Sequence, residues 1–195
     1  MAAITGALTF GALLALGVVW MPKLLGVHGL SAGTATLGAS LLWLGLAAGS
    51  AVVPHLSDVL RKRKELMVIG CIIQLLCMLA LLYLGQLSAT MALILCFIFG
   101  FANANHMLAF STAADVVKGH QIGTSAAIVN GIMFIVGGIL MSRPGTRIGL
   151  GLEQGLEPKT LELAQYAGLP ITVALVLSVV FAILMKETYP AKSDG

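Results

Sequence analysis

Four consecutive basic residues, Arg61-Lys62-Arg63-Lys64, sit between two long apolar runs at residues 34–53 and 66–84. Each run is about the 20 residues a helix needs to cross the hydrocarbon core of a bilayer. A short loop with clustered Lys and Arg between two spanning helices stays on the cytoplasmic side. That loop therefore sets the orientation expected for every other segment. Composition supports a membrane setting: 58% of the 195 residues are hydrophobic and only 10% are charged, against roughly 25% charged in soluble domains. The charge is missing from long windows and is not thinned evenly.

Six windows read as spanning helices: residues 2–20, 34–53, 66–84, 91–110, 124–141 and 169–185. Together they predict one all-α integral membrane domain over residues 1–195. Residues 2–20 lack a basic lead-in and end in Trp20-Met21-Pro22-Lys23 instead of a small-residue cleavage site, so they read as a helix and not as a leader. The chain begins almost inside this helix, and the expectation is a piece of a longer chain. Pro22 is expected to break the helix, with Lys23 reaching water. Residues 142–167 are expected to be a long outer connection. Basic residues on the inner side are Arg61, Lys62, Arg63, Lys64, Lys118, Lys186 and Lys192; on the outer side they are Lys23, Arg143, Arg147 and Lys159. The bias runs inward, so both termini are expected in the cytoplasm.

A net charge of +3, concentrated in one loop, argues for topology and against a nucleic-acid face, which needs basic residues spread over an exposed surface. Cys71, Cys77 and Cys96 lie in apolar windows and read as free thiols, without disulfide or metal spacing. No nucleophile elbow, His-Glu-x-x-His or phosphate-cradling loop is present. The chain reads as no enzyme and as needing no cofactor.

The loop resembles the signature between the second and third helix of each half of the major facilitator superfamily, roughly Gly-x-x-x-Asp-(Arg/Lys)-x-Gly-(Arg/Lys)-(Arg/Lys). Asp58, Lys62 and Arg63 match; Pro54, Val59 and Arg61 depart from it. Trp20-Met21-Pro22-Lys23-Leu24-Leu25 is similar to the close of that family's seventh helix. Gly123-Thr124-Ser125-Ala126 with Asn130 is similar to the start of the eleventh, and Lys186-Glu187-Thr188 to the exit from the twelfth. The resemblance implies the C-terminal six-helix half of a transporter, built as two inverted three-helix repeats. It implies transport of a small solute by alternating access, in a bacterial cytoplasmic membrane. The alternative is a non-transporting six-helix module with a structural, sensory or assembly role.

The resemblance makes Asp58 a gate latch, with Asp115 as the acidic partner of Arg61 or Lys62; otherwise Asp58 is one solvated charge among several. Asn103 and His106 share a face of the fourth helix. Polar groups at membrane depth either meet partners or face a cavity. They are candidates for binding solute or a proton, His106 because it titrates near neutral pH, or else they fasten the bundle. Asn105 points elsewhere and reads as structural. Trp43 lies in a stripe with Thr36, Ser40, Ala47 and Ser50, which packs against another half or, for Trp43, touches solute. Gly45 and Gly49, spaced for close helix approach, are expected with Asn103 and His106 on a face that one half leaves open. The expected partners are the bilayer, a solute, and an N-terminal half or a second copy of the chain.

Overall fold

The computed structural model describes residues 1–189. Among them no strand occurs, and six helices are long and apolar enough to cross a membrane: α1 (Ala2–Val27), α2 (Ala32–Leu60), α3 (Arg63–Tyr83), α4 (Ala89–Asp115), α5 (Gly119–Glu153) and α6 (Leu161–Leu184). Lys192 lies outside the described residues. Short turns join successive helices, so the basic loop, the α4–α5 turn and the start of α1 share one end of the bundle. Side-chain caps start several helices: Ser31 accepts from the Thr34 amide at 3.2 Å, Ser88 from Met91 at 3.3 Å and Thr160 from Leu163 at 3.2 Å. Arg61 ends α2 in the left-handed region at φ 56°.

Two expected boundaries are corrected. Helix α1 does not stop at Pro22 but runs to Val27 through a π-helical segment, Ala15–Trp20. In that segment the Met21 amide reaches back to the Leu16 carbonyl. The widened turn lets a residue without an N–H follow without leaving the helix. The Gly17 carbonyl is then short of a backbone donor, because the next in line is Pro22. The Trp43 indole N–H points at it from α2, 3.4 Å away. The second correction concerns residues 142–167. Helix α5 continues through Ser142, Arg143 and Pro144 to Glu153, and α6 begins at Leu161. Only residues 154–160 connect them. At 35 residues α5 is about 52 Å long, well over the roughly 30 Å hydrocarbon core. Its polar last turns therefore emerge beyond the apolar span. Arg147 does not mark a loop: its Nε donates to the Tyr166 carbonyl at 2.6 Å and its guanidinium lies 3.9 Å from the Tyr166 ring centre.

Helix α1 packs against α4, α5 and α6, and the most extensive seam joins α2 to α4. That seam is built on glycine. A Cβ on Gly45 would meet the backbone of Phe97 and Phe101, one on Gly49 the Phe101 carbonyl, and one on Gly100 the Leu42 carbonyl. The close-approach reading of Gly45 and Gly49 is therefore met inside the half, by α4. The expectation that they lie on an open face is wrong. Cys71, Cys77 and Cys96 are buried free thiols.

Candidate functional site

At the basic-loop end, Arg63 opens α3 and turns inward, with about a tenth of its side chain exposed. Its Nε donates to Asp115 Oδ2 at 2.5 Å and its Nη2 to Oδ1 at 3.4 Å, a two-point grip on the last residue of α4. The planar guanidinium suits that geometry, whereas an ammonium is a single point charge. Asp58 lies 3.4 Å from Nη1 and stays largely exposed, so it contributes little to the pair. Tyr189 lies against the guanidinium at 4.9 Å, and the Thr188 hydroxyl donates to Asp115 at 3.2 Å. The partner assignment for Asp115 is thus corrected. Arg61 ends α2 as an exposed residue and Lys62 pairs with Glu65 at 2.8 Å, and neither bonds to Asp115; the next residue along, Arg63, does.

Helix α3 has no side-chain cap of its own at Lys62. Glu187, just past α6, supplies one: its two carboxylate oxygens accept from the Arg63 and Lys64 amides at 3.1 Å each. The amides of Thr188 and Tyr189 add 2.9 Å bonds. Partial burial raises the Glu187 carboxyl, but the four amide bonds together outweigh it and hold it below the ordinary value of 4.5. The ends of α2, α3, α4 and α6 are thus fastened at one point.

Midway along α4 the helix tightens to a 3₁₀ turn, Ala104–His106. Three polar side chains leave it or its edge. Asn103 donates to the Thr9 carbonyl of α1 at 2.7 Å. Asn105 donates to the Met67 carbonyl of α3 at 3.3 Å, the structural use expected of it. The His106 ring stacks on Phe10 with centroids 4.7 Å apart. Its Nδ1 sits 2.7 Å from the Asn103 carbonyl. A carbonyl only accepts, so Nδ1 carries the proton in the neutral ring and Nε2 presents a lone pair. Nε2 has no partner among the described residues. His106 lines a cavity of about 570 Å³ together with Phe10, Pro54, Ser111, Asn130 and Met133.

Residues 1–142 match the family model of the Major Facilitator Superfamily. The chain belongs to that superfamily, a family of membrane transporters. No curated protein gives a match to the chain. The match covers α1 through α4 and most of α5, and the six helices make half of the superfamily's fold.

Within this superfamily half, the candidates separate into three places. Asp58, Arg63 and Asp115 meet at the basic-loop end, with Arg61 and Lys62 beside them. His106 reaches the cavity, whereas Asn103, fully buried against α1, does not line it. Trp43 is partly exposed on α2, away from the cavity, its N–H turned to Gly17. Two residues escaped the sequence reading. Asn130, noted only within the family-like start of a helix, is exposed on the cavity wall. Glu187 was only a family-like exit residue, although its carboxylate caps a helix 124 positions away.

Proposed function

We propose that the chain is the C-terminal half of a secondary transporter that moves a small solute by alternating access, with the basic loop in the cytoplasm. The cavity beside α4 carries this reading, because His106 Nε2 is a free acceptor in a wall otherwise dominated by Phe10, Met107, Phe110 and Met133. A solute N–H or O–H, or a proton, is what such a lone pair takes. The Arg63–Asp115 pair and the Glu187 cap act as the latch: contacts of this kind, present in one conformation and absent in another, bias the equilibrium between them. Helix α5 presents Gly123, Gly131 and Gly138, each with open space where a Cβ would stand. Thr36, Ser40, Trp43 and Ala47 are exposed on α2. These two stripes are the surfaces that receive an N-terminal half or a second copy of the chain.

Three measurements test this. In vesicles with a trapped pH dye, a panel of small solutes should include one that moves protons with it in the wild type and not in His106→Gln. Solute-dependent thermal stabilisation tests transport itself. The rival is a non-transporting membrane module, favoured by the Asn103–Thr9 bond that fastens α4 to α1; indifference to every solute class would establish it. For orientation, Lys62→Cys and Arg147→Cys are made in a background lacking Cys71, Cys77 and Cys96. An impermeant thiol reagent outside the cell should label only position 147. Labelling at position 62 reverses the topology.

A further inference from the structure

A second cavity, of about 550 Å³, opens at the end of the bundle opposite the basic loop, between α1, α3, α5 and α6 and the 154–160 connection. Its walls are almost wholly apolar, with Leu16, Leu24, Met78, Ile148, Leu163 and Ile171 prominent. The volume falls within the roughly 300–1,000 Å³ of ligand sites. Such walls offer a polar solute few hydrogen bonds but accept a hydrocarbon chain. The charged groups lining it are two, Lys23 on α1 and Lys159 on the connection. Glu153, Glu157 and Glu162 are exposed at this end, yet none of them lines the cavity. Neither lysine forms an ion pair among the described residues. The Lys23 ammonium rests 4.3 Å from the Trp20 ring centre, and Trp20 is itself held by its indole N–H, 2.8 Å from the Met141 carbonyl. Lys159 holds a left-handed backbone at φ 60°, a conformation that is costly for a side chain of its kind. Arg61, the other non-glycine residue with positive φ, is accounted for by the helix it ends; Lys159 follows no helix.

We propose that this cavity binds an anionic phospholipid, one acyl chain among the apolar walls and the phosphate between Lys23 and Lys159. A spanning helix bundle lies in lipid on its outer faces, and this cavity opens near the helix ends, where head groups and belt aromatics such as Trp20 sit. Two lining cations with no lining acid favour a negative head group over a zwitterionic one, because a phosphate without a covalently attached cation keeps its full charge for the ammonium groups. The site is distinct from the His106 cavity: the two share no lining residue.

The test uses the full chain in nanodiscs of phosphatidylcholine doped with phosphatidylglycerol, followed by native mass spectrometry of the released protein. The wild type should retain phosphatidylglycerol over phosphatidylcholine. The Lys23→Gln/Lys159→Gln double variant should lose that preference by about tenfold, with its thermal unfolding unchanged. Ala164→Trp, which fills the cavity, should lose both lipids. Should that variant fail to fold, phospholipids brominated on the acyl chain replace it: in a Trp43→Phe background they should quench Trp20, phosphatidylglycerol more strongly than phosphatidylcholine. Equal retention of the two lipids by the wild type overturns the proposal, as does an undiminished preference in the double variant. Displacement by inorganic phosphate at the same concentration as lipid would replace the lipid by a free anion.

Discussion

Two helices of this bundle carry glycine at helical spacing, and the same residue serves opposite ends on each. On α2, the space beside Gly45 and Gly49 is taken by the Phe97 and Phe101 backbone of α4; nothing stands within 4 Å of a Cβ placed on Gly123, Gly131 or Gly138 of α5. The first face is closed within the half and holds two backbones at a distance no larger residue permits. The second is exposed and runs past Asn130, which lines the His106 cavity. Small residues on a spanning helix therefore mark a place where a backbone approaches, without saying whose. The closed seam is part of what makes the half fold; the open stripe is the face proposed above to receive a partner.

The largest effect should come from attacking the closed seam. Gly45→Leu drives a side chain into the Phe97 carbonyl, which is backbone and has nowhere to go. Overpacking costs about 1–3 kcal/mol where side chains can yield, and more is expected here. The variant should fail to give a monodisperse folded peak in mild detergent. A well-folded Gly45→Leu protein would show that the seam opens.

Next comes the ionic closure at the basic-loop end, also internal to the half. Arg63→Met removes both of its bonds to Asp115 and leaves only the one from Thr188. Breaking a buried pair costs about 3–5 kcal/mol; with about a tenth of each side chain exposed, about 2–3 kcal/mol is expected in a denaturation titration. Asp58→Asn should cost under about 1 kcal/mol, because that carboxylate is mostly in water. Equal losses would restore Asp58 as the main latch.

A smaller effect is pH-dependent. The Glu187 carboxyl is held below its ordinary 4.5 in the folded protein. A depressed folded value means that its contribution is full above 4.5 and fades as the pH falls through the folded value. Hydrogen exchange at the Arg63 and Lys64 amides, taken relative to the intrinsic rate at each pH, should therefore accelerate on acidification below pH 4.5 in the wild type. In Glu187→Gln it should be faster at neutral pH and lack that acid step. An acid step that persists in the variant assigns it to another carboxylate.

The smallest effect on stability, and the sharpest contrast with Gly45, belongs to Gly138→Leu. Open space surrounds the site, so unfolding should shift by less than about 0.5 kcal/mol. What should change is association: native mass spectrometry should find the wild type paired and the variant shifted toward monomer. Undisturbed pairing would move the joint off this face of α5.

Much of the architecture was legible in the linear pattern. The number of spanning helices and the place of the basic loop follow from where apolar runs are long and where charge is dense, since bilayer thickness and translocation of Lys and Arg act on local sequence. The ends of α1 and α5 were not legible. Pro22 and Pro144 are breakers on average, but a π turn absorbs one, and the other lies within a helix whose Arg147 finds support on α6.

Sequence alone determined that this chain spans a membrane, that one end is basic, and that α4 carries Asn103, Asn105 and His106 at depth. Tertiary structure alone decided what those groups touch. Asp115 meets Arg63, 52 positions away, and Glu187 caps α3 from 124 positions away; no short-range spacing encodes pairs so distant along the chain. It also decided that Asn103 turns to Thr9 while His106 leaves Nε2 open to a cavity. The two lie three apart across a 3₁₀ turn, which keeps them on one side of the helix, so the neighbours they meet, and not the helix period, separate them. The physical reason is common to all of these. Helical period sets which side of a helix a residue occupies, whereas packing of one helix on another sets what stands opposite.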